Sequence, residues 1–151
     1  MKFNYNDTNF DFKAGTVILA GAGPGCLKLT TLKVLQSIKI ADVIIYDALV
    51  NPKLLKNCKK TAKIIFGGKT KNKKACSQKE INDWMITYAQ KKRKVLRLKG
   101  GDPSFFSRGS QEINFLRSNK ITFQIFSGIT SSQIAIKNAG LSFFNKNGIC
   151  N

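Results

Sequence analysis

Thr16-Val17-Ile18-Leu19-Ala20-Gly21-Ala22-Gly23-Pro24-Gly25 is the stretch whose reading decides the fold. A short apolar, β-branched run leads directly into a glycine loop, the pattern of a strand buried on both faces that opens at its carboxyl end. Downstream, Leu29, Leu32, Leu35 and Ile38 fall on one helical face. The alternation then repeats. Val43-Ile44-Ile45-Tyr46 is a second strand, and Asn51-Pro52 marks the start of a short helix, with a good N-cap followed by proline at the first helical position. Ile64-Ile65-Phe66 is a third strand, ended by Gly67-Gly68. Ser77 and Glu80 form a capping-box pattern opening a longer helix that carries Ile81, Trp84, Met85 and Tyr88. Val95-Leu96-Arg97-Leu98 and Phe123-Gln124-Ile125-Phe126 are the fourth and fifth strands. Strands separated by helices imply an α/β fold, a mainly parallel five-stranded sheet with helices on both faces.

Composition narrows the function classes. The 151 residues allow one ordinary core, and an apolar fraction of 42% is globular rather than disordered. No apolar run is long enough for a bilayer span, and Met1-Lys2-Phe3-Asn4-Tyr5-Asn6 has no signal-peptide core, so a cytoplasmic protein is expected. Cys26, Cys58, Cys76 and Cys150 form no C-x-x-C pair and the chain has no histidine. Mixed-ligand zinc fingers and histidine-based triads are excluded, no metal site is expected, and the cysteines read as reduced structural thiols. The net charge of +18 raises the question of a polyanionic partner. Its lysines are dispersed, however, and runs such as Lys69 to Lys74 and Lys91 to Lys94 read as solvated loops or helix ends. A basic nucleic-acid-associated domain is therefore the weaker alternative, while a polycarboxylate substrate is compatible with the charge.

In a doubly wound sheet, ligands bind where the loops gather at the carboxyl ends of the strands. Those ends carry Gly21 to Gly25, Asp47, Lys69, Gly100 to Asp102, and Ser127-Gly128-Ile129-Thr130. The first glycine loop alone allows a dinucleotide site, with Asp47 as the ribose-binding acid. Against it, Cys26 stands where the third glycine of G-x-G-x-x-G belongs. A second glycine loop, Arg97-Leu98-Lys99-Gly100-Gly101-Asp102-Pro103, closes another parallel strand and is less easily explained as an isolated turn. Taken singly, each candidate has a plainer role: Asp47 capping its turn, Lys69 solvated, Asp102-Pro103 an ordinary turn pair, and Phe105 and Phe106 packing in the core.

Four motifs in register carry a resemblance. Gly21-Ala22-Gly23-Pro24-Gly25 with Leu29-Thr30-Thr31-Leu32-Lys33, then Ala41-Asp42-Val43-Ile44-Ile45-Tyr46-Asp47-Ala48-Leu49-Val50, then Arg97 to Pro103, then Ser127-Gly128-Ile129-Thr130-Ser131, resemble the uroporphyrinogen-III C-methyltransferases of the tetrapyrrole methylase family. The likeness runs from about Gly15 to Leu141 and implies the first, N-terminal domain of that fold. It further implies S-adenosylmethionine (SAM) as methyl donor and methylation of uroporphyrinogen III to precorrin-2, on the way to sirohaem or cobalamin. By position, it makes Pro24, Gly100, Gly101, Asp102, Phe105, Thr130 and Ser131 SAM contacts, Asp47 a proton acceptor and Lys69 a proton donor. Arg108 is placed to pair with a carboxylate of the tetrapyrrole through its planar fork.

The chain departs from the family at Cys26, where an acid is usual, at Thr70 for an arginine, and at Ser127 for a proline. Ser142-Phe143-Phe144-Asn145-Lys146 replaces a Pro-Leu-Thr-His-Arg stretch. The resulting expectation is a tail or packing arm over 1–14, the α/β domain over 15–141, and a truncated linker over 142–151 with the second domain absent. Such a chain is a truncated or degenerate methyltransferase completed by a homodimer or a separately encoded second half, or else a non-catalytic remnant that binds SAM or a tetrapyrrole.

Overall fold

The computed structural model describes residues 11–68, 76–105 and 109–141, together with the backbone of 144–145 and 148–149. Five parallel strands form the main sheet: β1 (Val17–Gly21), β2 (Val43–Tyr46), β3 (Lys63–Phe66), β4 (Val95–Lys99) and β5 (Phe123–Phe126), in the order β3-β2-β4-β1-β5. Four α-helices accompany them: α1 (Leu32–Ile40), α2 (Gln78–Gln90), α3 (Gly109–Ser118) and α4 (Ser131–Asn138). A two-stranded ribbon, Phe144–Asn145 with Gly148–Ile149, follows.

The strands form where the β-branched runs are. β1 and β4 occupy the middle and are buried along their full length, whereas the edge strand β3 keeps Lys63 and Ile64 exposed. Alternation along each strand sends side chains to two cores. On one face Ile18, Ala20, Ile44, Leu96 and Leu98 meet Val34 and Ile38 of α1 and Leu54 of the turn after β2. On the other, Val17, Leu19, Val43, Ile45 and Val95 meet Ile81, Met85 and Ala89 of α2 and Leu116 of α3. Phe12 is also buried in the first core, so the stretch just before β1 packs on the sheet.

Two local readings change. Leu29 belongs to a 3-10 turn, Leu27–Leu29, and the helix begins after Thr31, whose hydroxyl accepts from the Val34 N–H. The short helix after Asn51 is likewise 3-10, over Pro52–Asn57, with the Asn51 side chain accepting from the Lys53 N–H. The capping box at Ser77 and Glu80 is formed in full.

Candidate functional site

The strand order puts the carboxyl ends of β2, β4, β1 and β5 side by side, so their loops form one row. The two glycine loops touch directly. Gly101 N–H donates to the Gly23 carbonyl at 2.9 Å and Gly23 N–H donates to the Gly101 carbonyl at 3.2 Å. Both residues hold positive φ, +81° and +66°, where a side chain is strained. The third loop closes over them: a Cβ on Gly128 would sit 2.2 Å from the Gly101 carbonyl oxygen. Only bare backbone allows three strand ends to come this close.

Two carboxylates tie the row together. Asp102 is buried and accepts from the N–H groups of Ser104 at 2.7 Å and Gly128 at 2.9 Å, linking the β4 loop to the β5 loop. Asp47 follows β2. Its carboxylate accepts from the Gly100 N–H at 3.3 Å and the Leu49 N–H at 3.0 Å, linking the β2 loop to the β4 loop while capping its own turn. The turn-forming roles of both acids are thus realised, and each also shapes the neighbouring loop.

Between these loops lies a cavity of about 350 Å³, within the range of small-molecule sites. Pro24, Gly100, Gly101, Asp102, Phe105, Thr130 and Ser131 all line it, with Gly23, Leu49 and Ser132. Of the residues singled out from the sequence as cofactor contacts, every one is at this wall. Asp47 stands behind it, bonded to Gly100, and Lys69 and Arg108 lie outside the described residues. Leu49 and Phe105 are apolar lips, 76% and 60% exposed. Phe105, for which the plainer reading was core packing, is on the surface of the cavity. Thr130 caps α4, its hydroxyl accepting from the Gln133 N–H at 3.3 Å. A Cβ at Gly101 would meet nothing within 4 Å, so the loop presents bare backbone to open space that a side chain would occupy. This is a cradle suited to a polar ligand lying close to main-chain groups.

Beneath the cradle is a feature the sequence reading missed. Arg97 and Lys99 point to the α2–α3 side of the sheet, buried, where Glu112 of α3 meets both. Arg97 Nε donates to Glu112 Oε1 at 3.1 Å, Lys99 Nζ to Oε2 at 3.0 Å, and Gln78 Nε2 to Oε1 at 3.1 Å. Burial pushes the Glu112 carboxyl up, but the two cations and the bonds from Lys99 and Gln78 outweigh it and hold it below the usual carboxylate range. Burial pulls Lys99 below the usual ammonium range, with Arg97 adding to the fall and Glu112 and Asp47 opposing it. The sequence signal was available: two cations at alternate positions of a buried strand require an internal anion.

The sequence profile of the family "Tetrapyrrole (Corrin/Porphyrin) Methylases" matches residues 16–147. The uroporphyrinogen-III C-methyltransferase of Methanocaldococcus jannaschii is 45% identical over 127 residues, covering 84% of this chain and 52% of that protein. The siroheme synthase of Actinobacillus succinogenes is 44% identical over 131 residues, covering 87% of this chain and 28% of its own length. The chain therefore spans about half the length of the one and about a quarter of the other. Among solved structures, uroporphyrin-III C-methyl transferase from Thermus thermophilus complexed with S-adenyl homocysteine aligns with a TM-score of 0.68 at 32% identity, covering 87% of this chain and 50% of that one. With its glycine loops, strand order and cavity all arranged at one end of a parallel sheet, the chain belongs to the tetrapyrrole methylase family.

Proposed function

We propose that the chain forms the N-terminal half of a SAM-dependent uroporphyrinogen-III C-methyltransferase, with the methyl donor in the cavity at Gly100–Asp102. The observation that carries this reading is the convergence of the seven residues from Pro24 to Ser131 on one cradle of bare backbone with apolar lips. The names of the relatives and the ligand of the Thermus structure support it. When bound, SAM supplies a methyl group on a positively charged sulfur. A pyrrole carbon is already electron-rich, so the protein's work is alignment more than activation of the nucleophile. Gly23 and Gly101 fix the loops, and Leu49 and Phe105 offer apolar surface to flat rings.

A proton must leave the ring system after the carbon–carbon bond forms. Asp47, held by the Gly100 and Leu49 N–H groups just behind the cavity wall, is the proton acceptor in this reading, and Lys69 the proton donor. Arg108 takes a substrate carboxylate. The other wall of the cleft comes from a second domain or a partner chain.

Calorimetric titration with SAM tests the cofactor part: one-to-one binding is expected, with a dissociation constant of about 1 µM to 1 mM, the range of ordinary enzyme substrates. Methylation of uroporphyrinogen III, assayed with the chain and a second domain of the family supplied in trans, should fall by about 100-fold or more in Asp47→Ala. Undiminished turnover in that variant would remove Asp47 from the chemistry, and absence of SAM binding would remove the site.

A further inference from the structure

Capping uses only half of the Asn51 side chain. Its Oδ1 accepts from the Lys53 N–H at 3.0 Å and starts the 3-10 turn Pro52–Asn57. Serine or aspartate would cap as well, but neither offers an amide nitrogen. With Oδ1 committed to Lys53, the other arm of the amide turns to the β1 loop, and Nδ2 donates to the Gly25 carbonyl at 2.8 Å. This bond is partly buried and joins residues 26 positions apart.

The path of the bond gives it a function beyond the cap. β4 lies between β1 and β2, so Asn51 reaches from the β2 turn past the β4 loop to the β1 loop. The same turn holds the β4 loop, through the Asp47 carboxylate and the Gly100 N–H, and is itself closed by the Val50 N–H on the Asp47 carbonyl at 3.3 Å. The β4 loop in turn holds the β1 loop through the paired bonds of Gly101 and Gly23. Asn51 closes these contacts into a ring, which runs from Gly25 through Asn51, Asp47, Gly100 and Gly101 to Gly23. Gly23, Pro24, Leu49, Gly100 and Gly101 all lie along this ring and all line the cavity. The root of the β1 loop is fixed separately: the Ala22 N–H donates to the Lys99 carbonyl at 2.7 Å, and the Ala22 carbonyl accepts from the Thr30 hydroxyl at 3.0 Å. The tip, Pro24–Gly25, is where Asn51 takes hold. Gly23 and Gly25 both have positive φ, and a glycine segment has much conformational freedom to lose when a ligand settles on it.

We infer that Asn51 is a positioning residue for the cavity: its amide clips the tip of the first glycine loop to the β2 turn and sets the spacing between Pro24 and Gly100 before a ligand arrives. The inference rests on the reading that SAM occupies the Gly100–Asp102 cavity. Asn51 stands outside the lining and acts through Gly25 and Pro24. Its effect is preorganisation, since a loop already ordered costs less to bind against.

The test is calorimetry on the full chain with SAM and with S-adenosylhomocysteine, beside urea unfolding. Asn51→Ser keeps an N-cap, but its hydroxyl stops short of Gly25. Both ligands should weaken by about three- to tenfold, because each must now order the freed tip. The factor should be the same for the two, since shape changes and charge does not. Asn51→Ala, which removes the cap as well, should show the same loss of affinity with a lower urea midpoint than Asn51→Ser. Ile18→Val is the control: it trims the buried core of β1 away from the loop, and should lower the urea midpoint while leaving both affinities at the wild-type value. Wild-type affinity in Asn51→Ser overturns the inference and leaves Asn51 a helix cap only. Affinity losses that follow the urea midpoint across all three variants, Ile18→Val included, overturn it as well, because general loosening would then explain them. A wild-type chain that binds neither ligand overturns the cofactor reading and this inference together.

Discussion

β1 and β4 lie side by side in the sheet, are equally long, are buried throughout, and end in glycine loops that bond to each other. Their contents differ. Val17-Ile18-Leu19-Ala20 is apolar on both faces, whereas Val95-Leu96-Arg97-Leu98-Lys99 is apolar toward α1 and carries two cations toward α2 and α3. β1 is thus held by area removed from water and by close packing, and β4 by a charge network whose members need one another. The two strands contribute different things to the site. β1 ends in the loop that comes close to its neighbours, and β4 places a buried ion network directly before its own loop.

Removing the shared anion should separate the strands most sharply. Glu112→Ala leaves Arg97 and Lys99 buried without a partner, and a loss of about 3–5 kcal/mol is expected in urea unfolding. The companion variant tests the reason: Arg97→Met, Lys99→Leu and Glu112→Leu together should restore most of that loss, because an apolar replacement of the whole network leaves no orphaned charge. A triple variant as unstable as Glu112→Ala would show that packing, and not charge, is what β4 requires.

The glycine loops come next in size. A Cβ on Gly21 would stand 2.4 Å from the Gly101 carbonyl oxygen and 2.6 Å from the Gly128 nitrogen, both rigid backbone atoms. Gly21→Ala should therefore cost about 1–3 kcal/mol and displace the β4 loop, whereas the same change at Gly25, where nothing lies within 4 Å, meets only the strain of its positive φ. Equal losses at the two positions would break the claim that loop contact sets the shape of the site. On β1 itself, Ile18→Val removes one buried methylene and should cost about 1 kcal/mol in urea unfolding.

These contrasts also mark how far the sequence could be read. Strands and most helix starts were legible because their signals are local: β-branched runs, the Ser77–Glu80 capping box, the Asn51-Pro52 start. The strand order was not, because crossovers that place β4 between β1 and β2 depend on packing across the chain. α3 and α4 gave little sign. Glu112 interrupts the apolar stripe of α3, and α4 buries no residue at all. Leu29 was read as helical because periodicity extends past the true cap at Thr31. The cavity residues were found through family likeness, and geometry added Leu49, which sits beside Gly100 only after β2 and β4 have paired. Glu112 was missed because an acid on a helix reads as solvent-facing until the cations opposite it are placed.

The smallest expected effect lies at the opposite end of the same strand pair. Asp42, just before β2, accepts from the Lys94 N–H at 2.7 Å and pairs with Lys59, so β4 meets β2 through a carboxylate at its amino end as well as through Asp47 at its carboxyl end. Partial burial pushes the Asp42 carboxyl up, but Lys59 and the Lys94 N–H outweigh it and bring it below its ordinary 3.8. A carboxyl lowered on folding stabilises the native state above its unfolded value, and that contribution disappears as the pH falls through the folded value. Stability should therefore be unaffected by Asp42 between pH 7 and 5 and should decline below about pH 4. Glu112, lowered from its usual 4.5, adds a decline of the same sign over a similar range. Urea unfolding at pH 6 and pH 3 separates them. Asp42→Asn should flatten part of the acid loss while costing little at neutral pH, because an amide still accepts from Lys94 and the Lys59 pair is half exposed to solvent. An Asp42→Asn profile that keeps the full acid loss would assign all of it to the cluster under the cleft, and β4 would then be anchored by charge at one end only.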